Sequence, residues 1–128
     1  MKAPAPVSGT VINALSIDVE DYFHVSAFAP YIPRSSWEDQ PHRIEANIDR
    51  ILGILDEADV TATFFTLGWI ADRYPHMVRR IVEQGHELAS HGYGHERATA
   101  HEPDSFRADV ALAKAVLEDV AGVEVQGY

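Results

Sequence analysis

Two histidines four residues apart are the side chains in this sequence best suited to chemistry. His91 and His95 enclose two glycines and a tyrosine, and they follow a short apolar run. A second group, Asp18, Glu20 and Asp21, lies at the end of another apolar run. Two imidazoles and a carboxylate are a common way to hold a divalent metal ion with an open coordination position. The combination predicts a metal-dependent hydrolase.

Each of these motifs also has a purely structural interpretation. The histidine segment could be a polar turn after a strand, and the acidic segment could be a solvated strand end. Gly92 and Gly94 favour the functional interpretation, because glycines allow a loop backbone to approach a neighbouring group closely. Asp18 and Glu20 alternate along a strand and therefore point to the same side. Together they could supply a metal ligand and a base that takes a proton from an attacking water molecule.

The other histidines are predicted to be structural. His86 falls within a predicted strand and is interpreted as a buried residue whose hydrogen bonds are satisfied. His24 is also interpreted as mainly structural. His42, His76 and His101 fall at surface or cap positions.

The composition limits the class of protein and of partner. A chain of 128 residues is long enough for one domain with one hydrophobic core. The formal charge of -10 argues against nucleic acid and anionic membranes as partners. The sequence has no cysteine, so a metal site must use His, Asp or Glu. No stretch approaches the ~18 apolar residues of a membrane span and no apolar signal segment is evident, which predicts a cytoplasmic location.

Apolar periodicity predicts the elements that must position the chemical motifs. Pro75 predicts that the second helix consists of two pieces, with a new start near the proline. The alternation of strands and helices is typical of a parallel α/β fold, in which ligands bind at the carboxyl ends of the strands. Strands are predicted over 11–19 (buried on both faces), 61–67 and 86–90, helices over 42–58, 70–84 and 103–120, and the beginning of a further strand from 122 onward.

Two segments lie outside this alternation. Residues 1–10 contain two prolines and are predicted to be a flexible lead-in to a domain over 11–128. Residues 22–41 are predicted to be a long aromatic loop that includes Trp37. Loops of this length are uncommon unless they are functional.

Four separated motifs carry a resemblance to a known family. They read Ser-Ile-Asp-Val-Glu-Asp at 16–21, Ala-Thr-Phe-Phe at 62–65, Gly-His-Glu-Leu-Ala-Ser-His at 85–91 and His-Gly-Tyr-Gly-His at 91–95. They resemble the polysaccharide deacetylase family, carbohydrate esterase family 4. The wording Asp-Val-Glu-Asp-Tyr-Phe is similar to the branch associated with exosortase and exopolysaccharide gene clusters. The resemblance covers essentially all of 11–128.

The resemblance implies a fold and an activity. The expected fold is the N-terminal half of a distorted (β/α)7-type barrel that binds one divalent metal ion, usually zinc. The expected activity is hydrolysis of N-acetyl groups from an N-acetylglucosamine-type polysaccharide or oligomer, in exopolysaccharide biosynthesis. The alternatives are a non-catalytic metal- or carbohydrate-binding fragment and a hydrolase of another small amide, such as a formyl group or a ureide.

The resemblance also implies roles for individual residues. Asp18 matches the catalytic base of the family, and His91 and His95 match its two histidine ligands. Tyr93 is expected to contribute through its backbone N–H, because its loop lies against the metal. Trp37 and the tyrosines of its loop are expected either to stack on sugar rings or to pack as a lid.

The carboxylate ligand is the point at which the sequence departs from the family pattern. That ligand normally follows the base at once, but Val19 stands there. Some relatives read Asp-Val-Asp, with the ligand two residues after the base, which implies Glu20 in this chain. Asp21 remains the alternative ligand.

Three further motifs of the family do not occur within residues 1–128: an Arg-x-Pro loop, an aspartate–tryptophan motif and a late histidine that acts as general acid. A (β/α) barrel usually needs ~200 or more residues. We therefore expect this chain to correspond to the first half of such a domain. That expectation predicts an exposed sheet edge at the C-terminal strand and a tendency to self-associate through it.

Overall fold

The computed structural model describes residues 9–128, in which three parallel strands alternate with helices. The predicted parallel α/β class is confirmed, whereas most of the predicted lead-in lies outside the described residues. The strands are β1 (Ser16–Val19), β2 (Thr63–Thr66) and β3 (Glu87–Ser90), side by side in the order β1-β2-β3. The helices are α1 (Ile44–Glu57), α2 (Gly68–Arg73), α3 (Pro75–Glu83) and α4 (Pro103–Ala121).

Strand β1 is shorter and more exposed than predicted. Only its four residues pair with β2, and the preceding apolar residues Val11 and Ile12 are 80% and 66% exposed. The prediction of a strand over 11–19 buried on both faces is therefore wrong. The physical reason is that β1 is an edge strand, because no strand within residues 9–128 pairs with its outer side. Apolar character alone does not supply a partner strand.

Pro75 divides the second predicted helix as expected. Helix α2 ends at Arg73, Tyr74 has non-helical backbone angles, and α3 begins at Pro75. Proline suits the first position of a helix, because the N–H that it lacks would have no partner there. Helix α2 is therefore a short, separate helix directly after β2.

The hydrophobic core lies between the sheet and the helices. Helix α1 contributes buried residues at helical spacing, and the central strand β2 contributes Phe64 and Thr66, both fully buried. Burial of this apolar surface holds the three strand ends in fixed positions. The most deeply buried large side chains are Phe23, Phe64, Ile48, Leu67, Ile70, Ile81 and Leu117.

The predicted aromatic loop is ordered around an aromatic cluster. It contains three 3₁₀ helices, at Tyr22–His24, Ser26–Phe28 and Arg34–Asp39. Trp37 and Trp69 pack edge to face with ring centroids 5.6 Å apart. Because all of the cluster except the half-buried His42 is buried, this segment is part of the core. We use the name aromatic cluster for Phe23, His24, Trp37, His42 and Trp69.

The C-terminal tail lies beside β3 without forming a regular strand. Val125 is buried, and the N–H of Ser90 donates to the carbonyl of Gly127 at 2.8 Å. The predicted strand from residue 122 is thus limited to strand-like contact. Across residues 9–128, no helix is long and apolar enough to cross a membrane.

Candidate metal centre

The ends of β1 and β3 bring both chemical motifs to one edge of the sheet. Residues Asp18 and Val19 pair with the last two residues of β2, which in turn pair with Ala89 and Ser90. The acidic motif and the histidine motif therefore leave the sheet at the same level, on either side of β2. This is the edge at which ligands bind in parallel α/β folds.

Three of the predicted site residues converge there. Oε2 of Glu20 lies 3.4 Å from Nε2 of His91 and 2.9 Å from Nε2 of His95. One ligand atom from each of the three side chains lies within 4.8 Å of the others. Zinc–nitrogen and zinc–oxygen bonds are about 2.0–2.2 Å long. Small adjustments of the three side chains would therefore let a single ion contact all three ligand atoms.

Unpartnered buried atoms indicate that the arrangement suits a cation. Oε2 of Glu20 and Nε2 of His91 are buried, and neither makes a hydrogen bond to any residue that the structure describes. Buried polar atoms without partners are costly and rare, so each one requires an explanation. Two nitrogen lone pairs and one carboxylate oxygen around a common point form a donor set that fits a divalent metal ion.

Electrostatics couple Glu20 to both histidines. Burial raises the pKa of Glu20, but the contact with His91 and the charge of His95 together lower it by more. The pKa of Glu20 therefore lies below its ordinary value. The contact with Glu20 raises the pKa of His91 against the opposing effect of burial. A cation at this site would therefore compete with the proton that Glu20 favours on His91.

Asp18 faces the same space from a more exposed position. Its Oδ2 lies 3.8 Å from Nε2 of His91, and its side chain is 55% exposed, whereas that of Glu20 is 18% exposed. A solvent-accessible carboxylate beside the ligand atoms is placed to accept a proton from water. The structure thus brings Asp18 next to the three converging residues.

The histidine loop is held mainly through its backbone. The first N–H groups of α2, from Gly68 and Trp69, donate to the carbonyls of Gly92 and Tyr93, each at 2.9 Å. His95 has a φ of 57°, in the left-handed region that few non-glycine residues adopt. Such an outlier persists only where surrounding contacts impose it.

Arg34 packs against the same loop from the aromatic segment. Its guanidinium occupies the space into which a side chain at Gly94 would project. Its Nη1 also donates to Oε1 of Glu96 at 3.0 Å. Sequence reasoning missed this contact, because 62 residues separate the two partners.

Asp21, the alternative ligand, is occupied elsewhere. Its Oδ1 accepts the N–H of Tyr22 at 2.9 Å, and its Oδ2 accepts the N–H groups of Arg43 and Ile44 at 2.7 and 3.0 Å. The last two bonds cap the N-terminus of α1, which has no cap from its own flanking residue. Asp21 is thus engaged by backbone N–H groups, whereas Glu20 is the carboxylate that converges with the two histidines.

Two predicted substrate contacts differ from expectation. Trp37 is only 6% exposed, so its ring packs in the aromatic cluster and has no free face for a sugar; the packed alternative is the one observed. The backbone N–H of Tyr93 donates to Asp109 at 3.3 Å and its hydroxyl donates to Asp72 at 2.7 Å. Tyr93 therefore anchors its loop, and its N–H is not free for a substrate.

An open cleft of about 240 Å³ lies beside the histidines. Arg97 and Tyr128 line it, and sequence reasoning assigned a role to neither. Their only sequence signal is polar or aromatic character near the motif or in the tail. The full lining consists of Ser90, His91, His95, Glu96, Arg97 and Tyr128.

Comparison with known proteins identifies related chains. A peptidoglycan-N-acetylglucosamine deacetylase from Bacillus cereus is 34% identical over 73 residues, which are 57% of this chain and 26% of that protein. A peptidoglycan deacetylase from Helicobacter pylori is 28% identical over 129 residues, covering 92% of this chain and 41% of that protein.

A solved structure extends the similarity to the fold. The crystal structure of a candidate polysaccharide deacetylase from Mycobacterium smegmatis is 32% identical, with a TM-score of 0.72, over 97% of this chain and 46% of that chain. This similarity confirms the predicted fold class, a part of the deacetylase (β/α) barrel. The chain spans less than half the length of each of these three proteins.

A family model supplies the assignment. The model described as polysaccharide deacetylase matches residues 35–128, which are most of the chain and include the whole histidine motif. The chain therefore belongs to the polysaccharide deacetylase family, carbohydrate esterase family 4.

Proposed function

We propose that this chain carries the metal-binding part of an N-deacetylase that hydrolyses N-acetyl groups of N-acetylglucosamine-type polysaccharides. The observation that carries the proposal is the convergence of Glu20, His91 and His95 beside Asp18 at the carboxyl edge of the sheet. The deacetylase relatives support the reaction class and the class of substrate.

The proposed metal is a single divalent ion, with zinc as the first candidate. Two histidines and one glutamate are a known ligand set for catalytic zinc, with a further position open. When bound, the ion would polarise the acetyl carbonyl and stabilise negative charge on its oxygen. Glu20, His91 and His95 would hold it.

The chain's own residues divide the remaining work. Asp18 would take a proton from the water that attacks the acetyl carbonyl. Breaking of the C–N bond, with that proton passed on to the departing nitrogen, would then release acetate and a free amine. The cleft beside the histidines, with Arg97 and Tyr128 on its walls, would receive the sugar that carries the acetyl group. A hydroxyl and a guanidinium can both donate hydrogen bonds to sugar oxygens.

Metal content tests the first half of the proposal. Mass spectrometry of the zinc-supplied protein is expected to find about one zinc per chain, and His91→Ala and His95→Ala should each lose most of it. His76→Ala is the matched control, because His76 is exposed on α3, where its Nδ1 lies 2.9 Å from the guanidinium of Arg79. Equal zinc in all four proteins, or none in the wild type, would contradict the proposed centre.

Acetate release tests the second half. A zinc-loaded protein with Asp18 intact should release acetate from an N-acetylglucosamine oligomer, and Asp18→Asn should keep the zinc but lose the release. Zinc binding without acetate release from the wild-type chain would favour the second candidate, a non-catalytic metal- or carbohydrate-binding unit. The specific observation behind that candidate is that the chain spans only 26–46% of the three compared proteins.

Two finer statements also belong to the proposal. The link to exopolysaccharide biosynthesis depends on the Asp-Val-Glu-Asp-Tyr-Phe wording that begins at Asp18. Formyl or ureide hydrolysis is the alternative within the hydrolases, because it would use the same attack on a small amide. Comparing acetylated with formylated glucosamine oligomers separates the acyl groups.

A further inference from the structure

His24 is a buried histidine for which the proposed reaction has no role. It is 3% exposed, and it lies between the rings of Trp37 and Trp69, with centroids 4.6 and 4.8 Å away. Sequence reasoning assigned it a structural role. Its hydrogen bonds, however, are only half satisfied.

The first ring nitrogen fixes the tautomer. Nδ1 of His24 lies 2.8 Å from the backbone nitrogen of Asp21, whose N–H can only donate, and 3.3 Å from the carbonyl oxygen of Asp21. The shorter contact makes Nδ1 the acceptor. In the neutral ring the proton must then lie on Nε2. Burial lowers the pKa of His24 to about 4, so the ring is neutral at physiological pH.

The second ring nitrogen has no acceptor. Nε2 of His24 is buried and makes no hydrogen bond to any group in the described part of the chain. The aromatic rings around it offer no strong acceptor, and the carboxylate of Asp21 already accepts three N–H groups. An N–H donor left in this state costs about 1–3 kcal/mol, so a nearby acceptor for it should be sought.

The carboxylate of Glu20 is the complementary group. It lies four residues before His24, and Asp21, between them, caps the 3₁₀ helix that ends at His24. Its Oε2 is itself buried and unpartnered within residues 9–128. Electrostatic coupling between Glu20 and His24 contributes to the pKa of each, after burial as the largest cause in both.

We propose that His24 is a positioning residue of the metal centre, whose Nε2–H holds the carboxylate of Glu20 in the orientation that binds the ion. The hydrogen bond would form directly or across one water molecule when Glu20 turns an oxygen toward the metal. Ligating carboxylates are generally oriented by such outer hydrogen bonds. This inference rests on the proposed metal centre.

Zinc affinity of paired histidine variants tests the inference. His24→Asn keeps an acceptor for the N–H of Asp21 but removes the donor at Nε2, whereas His24→Gln places an amide N–H close to the position of Nε2. The matched control is His86→Asn, because His86 is also buried and its Nδ1 also accepts a backbone N–H, from Ala62 at 3.1 Å. His86 precedes β3, at the opposite end of the sheet from the metal centre.

The expected order of affinities is specific. His24→Asn should raise the zinc dissociation constant about 10–100-fold and change the visible spectrum of the cobalt-substituted protein. His24→Gln should restore part of the zinc affinity and part of the wild-type spectrum. His86→Asn should have an affinity and a spectrum close to those of the wild type. Wild-type affinity in His24→Asn would overturn the role of His24 alone. A wild-type chain that binds no zinc would overturn the metal centre, and this inference with it.

A measurement on the wild type keeps the inference testable if His24→Asn does not fold. Long-range proton–nitrogen NMR spectra are expected to show His24 protonated at Nε2 and its Nε2–H signal shifting on zinc addition, while the signals of His86 stay in place. A proton on Nδ1, or an Nε2–H signal that zinc does not move, would overturn the proposal.

Discussion

Asp21 and Glu20 are adjacent acidic residues, and exchanging them for neutral residues should have opposite consequences. The carboxylate of Asp21 is 3% exposed and accepts three backbone N–H groups, two of them at the start of α1. A hydrogen bond to a charged group contributes about 1.5–3 kcal/mol, and such contributions are not fully additive. We therefore expect Asp21→Ala to lower the free energy of unfolding by about 3–5 kcal/mol, and Asp21→Asn by about 1–2 kcal/mol.

Glu20→Gln is the matched comparison. Its carboxylate contacts His91 and His95 without hydrogen-bond geometry at Oε2, so the metal-free protein should lose about 1 kcal/mol or less. Urea unfolding in the presence of a chelator measures both free energies, and zinc titration of each folded variant measures affinity. Asp21→Asn should keep its zinc, whereas Glu20→Gln should lose it.

The assignment of roles fails if the two variants exchange behaviours. A loss below about 1 kcal/mol for Asp21→Ala would mean that water replaces the three hydrogen bonds at little cost. Loss of zinc from a well-folded Asp21→Asn variant would restore Asp21 as the ligand. Either result would contradict the geometry described above.

Three further predictions follow from other contacts. Gly68→Ala should lower the free energy of unfolding by about 1–3 kcal/mol, because the added Cβ would lie 2.5 Å from the ring of Tyr93. Gly53→Ala, in open space on α1, should raise the free energy of unfolding by about 0.5–1 kcal/mol. Urea unfolding measures both changes. The buried neutral His24 contributes stability that is fully present above pH 6.5 and is lost as the pH falls toward its folded pKa of about 4. In the presence of a chelator, the free energy of unfolding of the wild type should therefore fall by about 2–3 kcal/mol over that pH range, and that of His24→Asn should fall less. Urea unfolding at each pH measures both. Exposed apolar residues before β1 should promote concentration-dependent association on size-exclusion chromatography, and Ile12→Lys should reduce it; a stable monomer at all concentrations would contradict this.

The sequence predicted the elements whose signals are local. Helical spacing of apolar residues located α1 to within two residues at each end, and Pro75 located the break between α2 and α3. The two acidic residues and two histidines that converge were also found from sequence, because parallel strands bring their carboxyl ends to one edge. These features depend on periodicity and topology, which the sequence carries directly.

Features that depend on distant contacts could not be predicted. The cap that Asp21 provides for Arg43 and Ile44 joins residues more than twenty positions apart, so the sequence left Asp21 open as the alternative ligand to Glu20. Trp37 looked available for sugar because nothing local shows that it packs against Trp69. The length of β1 depends on whether a strand lies on its outer side, which an apolar run does not reveal.

The three carboxylates within residues 18–21 lie in three different environments. Asp18 is half exposed and open to water, Glu20 faces two histidines, and Asp21 is buried among backbone N–H groups. Val19 explains the spacing: its side chain is fully buried in the core, on the opposite side of the strand from its two neighbours. In this structure, a carboxylate in the place of the Val19 side chain would enter the core without a partner, at a cost of several kcal/mol. Here position 20 is therefore the first place after Asp18 from which a carboxylate reaches the histidines.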